Sequence, residues 1–212
     1  MLTLYINPGS CSLASHIALE ESGLAYRTER VALAEGRNLE PGYLARNPWG
    51  RVPALDLGGE VLTENVAILS HVADLAPGRR LLPPNGTLER ARAIEFMATL
   101  SSTVHVAFRP IFRPERLASG EEGRRDVTDT GLAALASTLA KLDASLEGRR
   151  HSVGDAFTLC DAYLLVFALW TRRPALAGRL PRFARIDAIA GSTAERPAAR
   201  TALAAEGLAP PD

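Results

Sequence analysis

Among side chains able to do chemistry, Cys11 stands apart by its context. Leu2, Leu4 and Ile6 alternate with Thr3 and Tyr5, the period of a strand. Asn7-Pro8-Gly9-Ser10 breaks that pattern, and from Cys11 the spacing of Leu13, Ile17 and Leu19 is helical as far as Gly23. A cysteine at a helix start lies beside unpaired N–H groups and the positive end of the helix dipole. That predicts a lowered thiol pKa and a nucleophilic thiolate, with the Ser12 hydroxyl next to it. A free cysteine is equally open to being a small, buried and inert side chain, and the residues alone leave both readings. Cys160 lies in Thr158-Leu159-Cys160-Asp161, ahead of an apolar helix, and reads as core. No two of the four histidines have metal-ligand spacing, so no metal site is expected. His16 and His71 fall on helices without an acidic or thiol partner in register, and His151 falls in a loop. All three read as structural or exposed. A local dithiol centre is excluded, because the residue three beyond Cys11 is Ala14.

The elements that must position Cys11 follow from the same patterns. Tyr26 to Leu33 suits a second strand, and Ala34 to Gly42 a loop. Tyr43 to Arg46 suits a single helical turn. Val52 to Leu57 and Glu60 to Leu62 flank Gly58-Gly59 as a hairpin. Thr63 is placed to cap a helix that carries Val66, Ile68, Leu69, Val72 and Ala73, with Glu64 in its first turn. The order is β-α-β-α-β-β-α. Pro and Gly then cluster at both ends of 77–86, the one credible linker. Beyond it every segment reads as helix. Thr87 to Arg109 carries Ile94, Met97, Leu100, Val104 and Phe108 and is bent or ended by Pro110 and Pro114. Leu132, Leu135, Leu139, Leu142 and Leu146 form an amphipathic stripe closed by Gly148. Thr158 and Asp161 have capping-box spacing before the apolar stretch Ala162 to Trp170, and two further helices follow, around Ile186 and from Glu195 to Ala205.

Composition narrows the class. The chain has 212 residues, with 24 basic against 24 acidic, so neither a nucleic-acid nor an anionic-membrane partner is expected. No apolar run approaches the ~20 residues that span a bilayer. Met1 leads directly into a strand and not into a signal peptide. Two cysteines do not make a disulfide framework and favour a reducing compartment, so a cytoplasmic location is expected.

The motifs together resemble the cytosolic glutathione transferases, and the bacterial beta class in particular. They are Pro8-Gly9-Ser10-Cys11-Ser12-Leu13-Ala14-Ser15-His16, Asn47-Pro48 leading to Val52-Pro53-Ala54-Leu55, Leu62-Thr63-Glu64, His105-Val106-Ala107-Phe108-Arg109-Pro110, and Phe157-Thr158-Leu159-Cys160-Asp161-Ala162-Tyr163. They keep their order over nearly the whole chain. The resemblance implies an α/β unit followed by an all-α unit: a thioredoxin-like domain over 1–76 with a mixed four-stranded sheet, a linker over 77–86, and an all-helical domain over 87–212.

The resemblance also implies a detoxifying transferase that uses glutathione as co-substrate, needs no metal and works as a homodimer. It places Cys11 and His105 near the glutathione sulfur, and Ser12, whose hydroxyl stands beside Cys11, is a third catalytic candidate. The peptide before Pro53 is expected to be cis, turning the Val52 backbone to pair with the cysteinyl part of the tripeptide. Glu64 and Asn65 are expected to hold its γ-glutamyl end, and Arg51, with Arg37 as a weaker candidate, its glycyl carboxylate. Three positions depart from common family choices: Ser10 for Ala, Arg51 for an amide or lysine, and Asn65 for Ser, Thr or Gly. Phe112 and Trp170 either pack or line an electrophile pocket at the domain junction. Arg172-Arg173 suits an acidic substrate or solvent, and the solvated reading is preferred. Three activities remain open: conjugation with Cys11 as a hydrogen-bond donor; thiol–disulfide exchange with Cys11 as a thiolate, in which His105 or Arg51 would offset the second negative charge; and glutathione-dependent dehalogenation or isomerisation, which shares the first domain. Outside catalysis stands a carrier or interaction protein on the same fold.

Overall fold

The computed structural model describes residues 1–211. Its first part runs β1 (Leu2–Ile6), α1 (Ser12–Ser22), β2 (Tyr26–Arg30), α2 (Pro41–Leu44), β3 (Ala54–Asp56), β4 (Val61–Thr63) and α3 (Asn65–Leu75). The four strands form one mixed sheet in the order β2-β1-β3-β4. β1 and β2 are parallel, and β3 is antiparallel to both β1 and β4. Both faces of β1 are covered. Leu4 and Ile6 join the main core, while Tyr5 packs with Val31, Tyr43, Val52 and Ala54 on the other side. β3 is shorter than the apolar run that predicts it, because Pro53 has no N–H for the ladder. The Gly58-Gly59 turn closes as expected, with the Leu57 N–H donating to the Glu60 carbonyl at 2.8 Å.

The capping expectation at α3 is corrected. Thr63 ends β4, and Glu64 is the residue before the helix, held at φ 67° without a side-chain cap. A positive φ is costly for a side chain with a Cβ and is concentrated at functional sites.

Beyond residue 76 there is no strand among the described residues. The chain forms α4 (Leu88–Thr99), α5 (His105–Phe112), α6 (Glu121–Ser145), α7 (Leu159–Thr171), α8 (Ala184–Ala194) and α9 (Pro197–Ala205). α4 and α5 are joined by one π turn, Leu100–Val104, whose wider hydrogen bond runs from the His105 N–H to the Leu100 carbonyl. Pro110 stays inside α5 and does not end it. It is accommodated by Gly131 of α6, where a Cβ would lie 2.4 Å from the proline Cβ. The box before α7 forms as spaced: Cys160 N–H donates to Thr158 Oγ1 at 3.3 Å, and Thr158 N–H donates to Asp161 Oδ2 at 2.8 Å. α7 is apolar nearly all round and packs on α1, α4 and α8. α1 is the hub of the molecule, packing on α3 on one side and on α7 and α9 on the other. Continuous burial across these helices makes one core of the two parts.

Candidate active site

Cys11 is where the sequence places it, on the residue preceding α1, but its chemistry is the reverse of the expectation. Its backbone is already helical, at φ −63° and ψ −12°, and its thiol does not cap α1. Instead Sγ–H donates across the site to the Val52 carbonyl at 3.4 Å. Burial pushes the thiol pKa from 9.0 up to about 12, with the Glu64 carboxylate adding to the rise and Asn65 and Arg51 opposing it. The side chain is only 9% exposed. Desolvation therefore outweighs the helix terminus, and the thiol is neutral at physiological pH.

The neighbouring residues divide into those that face Cys11 and those committed to the scaffold. Ser12 belongs to the scaffold: it is fully buried, shares a 2.8 Å hydrogen bond with the Ser10 hydroxyl and accepts from the Asn7 N–H at 3.3 Å. Asn65 is also spent internally. Its Nδ2 donates to the Cys11 carbonyl at 2.9 Å, and its Oδ1 accepts from the Ser15 hydroxyl at 2.7 Å, so the side chain fastens α3 to α1. Those two bonds give a reason for Asn here, where one side chain must both donate and accept. Glu64, by contrast, is exposed at the α3 terminus and electrostatically coupled to Cys11.

The Val52-Pro53 peptide is cis, as the resemblance implies. The Arg51 carbonyl just before it is held by the Tyr43 hydroxyl at 2.6 Å and the Asn47 amide at 2.7 Å. The Arg51 side chain remains exposed, and its charge is felt by both Cys11 and His105. Arg37 is already paired with Glu40 at 2.7 Å and Glu35 at 3.7 Å.

His105 begins α5 directly after the π turn, half-buried, with its ring centroid 4.9 Å from that of Trp170 and 6.0 Å from that of Phe167. Burial, aided by Arg109 and Arg51, lowers its pKa from 6.5 to about 4. It is therefore uncharged at neutral pH and cannot supply the positive charge that a Cys11 thiolate beside a second thiolate would need. Phe112 and Trp170 do come together, with centroids 5.7 Å apart over Phe108. The Trp170 indole N–H donates to the Gly9 carbonyl at 2.9 Å, which ties this aromatic wall to the turn before Cys11.

Three features lay outside the reach of local patterns. Glu206, past the end of α9, accepts from the Gly9 N–H at 2.8 Å and from His16 Nδ1 at 2.9 Å. His16 thus has an acidic partner, 190 positions away. Tyr163 is buried close to Cys11, and burial first, then the charge of an ionised Cys11, would raise its pKa. Arg173 is not simply solvated: its guanidinium lies over the Phe112 and Trp170 rings, 5.2 Å from each centroid, and donates to the Gly9 carbonyl. A signal did exist for the π turn, since Thr99, Ser101 and Ser102 interrupt an apolar helix and their hydroxyls bond back to carbonyls of Glu95 and Ala98. A groove of about 1540 Å³ lies elsewhere, between 81–85, α4, α6 and 152–158, and includes neither Cys11 nor His105.

Comparisons with known proteins give the family of the chain. The family model described as glutathione S-transferase, N-terminal domain, matches residues 1–74, and the one described as glutathione S-transferase, C-terminal domain, matches residues 96–182. Glutathione S-transferase GstA of Escherichia coli O157:H7 is 39% identical over 210 residues, covering 98% of this chain and all of its own. A sphingomonad glutathione S-transferase solved in complex with glutathione superposes with a TM-score of 0.83 at 41% identity, covering 98% of this chain and 100% of that one. The bacterial beta-class enzyme of Sphingomonas chungbukensis gives 0.84 at 40%, with coverage of 98% and 100%. With both halves matched and full-length relatives at this identity, the chain belongs to the glutathione S-transferase family.

Proposed function

We propose that the protein conjugates the glutathione thiolate to small hydrophobic electrophiles, with Cys11 acting as a neutral hydrogen-bond donor to the glutathione sulfur. The observation that carries this reading is the Cys11 thiol, protonated and pointed at the Val52 carbonyl beside a cis peptide. Glutathione in the structure of the sphingomonad relative supports the same tripeptide here. Laid along Val52, its cysteinyl N–H would take the Val52 carbonyl as acceptor and release the Cys11 S–H to the incoming sulfur. Arg51 suits the glycyl carboxylate, and Glu64 suits the γ-glutamyl ammonium, whose own carboxylate meets the N–H groups opening α3. Arg37, Ser12 and the Asn65 side chain are engaged elsewhere, so their part is scaffold. His105, Phe112 and Trp170 form the wall against which an apolar electrophile is held, and proximity then does the rest. On this reading residues 1–76 bind the tripeptide and 87–212 supply that wall, with 77–86 between them. Thiol–disulfide exchange is the weaker branch, because a thiol with a pKa near 12 is a poor nucleophile at neutral pH.

The protein is further proposed to be a homodimer, since Leu75, Leu88 and Ile94 are exposed apolar residues on the α3 and α4 surfaces.

The test is Cys11→Ala. Loss of a hydrogen bond to a charged sulfur should lower kcat/KM for 1-chloro-2,4-dinitrobenzene about 10- to 100-fold and raise the pKa of bound glutathione, read at 239 nm. Unchanged conjugation with abolished disulfide reduction would reject this role. Retention on immobilised glutathione without turnover of any electrophile would favour the carrier.

A further inference from the structure

Arg173 occupies a position that the conjugation reading does not use. Its guanidinium is half-buried and lies over the aromatic wall, 5.2 Å from the centroids of both Phe112 and Trp170. One N–H is committed to the Gly9 carbonyl, two residues from Cys11. Burial lowers the Arg173 pKa, and an ionised Cys11 would act in the opposite sense, so the guanidinium lies within electrostatic reach of the Cys11 side chain.

The neighbouring arginine shows the ordinary alternative. Arg172 is paired with Asp187 at 3.0 Å, whereas no carboxylate among the described residues stands within ion-pair distance of Arg173. The two other cations near His105, Arg51 and Arg109, likewise have no carboxylate partner among the described residues. Burying a guanidinium costs solvation free energy that a counterion normally offsets. Stacking on two rings recovers part of it, since a weakly hydrated planar cation suits aromatic faces. Of the five N–H donors of a guanidinium, one is given to Gly9, and the planar fork itself matches the geometry of a carboxylate.

We propose that Arg173 is the receptor for an anionic group on the electrophile, so that the substrates this protein prefers are aromatic or conjugated carboxylates whose apolar body lies on Phe112 and Trp170. This rests on the transferase reading. The reaction is unchanged in kind: the glutathione thiolate attacks the halogen-bearing ring carbon, the C–S bond forms, the C–Cl bond breaks and chloride departs with its electron pair. His105 carries no charge at neutral pH. The positive potential on this side of the site therefore belongs to arginine.

Two probes differ only in charge: 4-chloro-3-nitrobenzoate and its methyl ester. For each, kcat/KM is divided by the rate constant of its uncatalysed reaction with glutathione, which removes the difference in ring activation. The native protein should favour the carboxylate by about tenfold, and Arg173→Gln should remove that preference while Arg173→Lys keeps part of it. A role for Arg173 limited to holding the Gly9 turn lowers both probes together and leaves their ratio intact. An intact ratio in Arg173→Gln, or no preference in the native protein, overturns the proposal and leaves the transferase reading standing. Turnover of neither probe, with glutathione still bound, overturns both. Should the variant not fold, inhibition of the native protein by 3-nitrobenzoate and 3-nitrobenzamide decides. The carboxylate should bind about tenfold more tightly, and equal inhibition refutes the anion site.

Discussion

Two protonation states dominate the chemistry of individual residues. The Cys11 thiol, raised to about 12, keeps its proton in the folded chain at pH values where an unfolded chain would release it. Cys160, buried against the Ala93 carbonyl, behaves alike. Folding stability should thus fall as pH rises above 9, the unfolded thiol's range, and go on falling to about 12, each pH unit costing about 1.4 kcal/mol per thiol. Urea midpoints across that window check it, and a Cys11→Ala variant should show a shallower slope. Iodoacetamide should fail to alkylate Cys11 at pH 8 until the chain is unfolded. His105 shifts the other way. An unfolded histidine gains a proton below 6.5 while this one waits until about 4, so stability is lost as pH falls through that interval. The pH profile of kcat/KM should carry no inflection from His105 between pH 5.5 and 7.5, and a His105 imidazole that titrates near 6.5 by NMR would overturn the lowered pKa.

At the scale of elements, placement of the site depends on departures from regular structure. The π turn adds a residue just before His105 and so sets which face of α5 the imidazole occupies. Pro110 in the same helix needs a partner without a Cβ, and Gly131 provides it. Gly131→Ala should destabilise the fold by about 1–3 kcal/mol, because backbone must move to admit the methyl group. Thermal denaturation measures this, and a neutral result would mean that α5 and α6 separate freely. α8 has its own dependence. Its first N–H groups, from Arg185 and Ile186, donate to Asp143 of α6 at 2.9 and 3.0 Å, and the Arg185 guanidinium pairs with the same carboxylate at 3.0 Å. Asp143→Ala should cost about 1–3 kcal/mol in urea denaturation, as expected for orphaned buried donors.

Across the whole molecule, the Cys11 turn is held from both ends of the chain. Trp170 and Arg173 grip the Gly9 carbonyl and Glu206 grips the Gly9 N–H, so residues more than 150 positions away fix the turn that presents the thiol. Glu206→Ala leaves the Gly9 N–H and His16 Nδ1 without their acceptor. It should lower stability by about 2–5 kcal/mol and conjugation together, and Glu206→Gln should recover part of both. Much of the architecture was legible in advance. The β-α-β-α-β-β-α order, the Gly58-Gly59 hairpin, the box at Thr158 and Asp161 and the apolar α7 all follow from neighbours a few positions apart, whose periodicity and turn chemistry are local properties of the chain. The ionisation of Cys11 and His105 was not legible, because desolvation depends on what is packed around a group, and Val52, Asn65, Tyr163 and Trp170 arrive from distant positions. The same holds for Asn65, committed to Cys11 and Ser15, and for Arg173, drawn over two rings instead of into solvent. By itself the sequence determined the elements, their order and the residue types able to meet; tertiary structure decided which of those residues are charged, which are spent on scaffold and which stay free for a ligand, since burial and electrostatics are sums over neighbours in space.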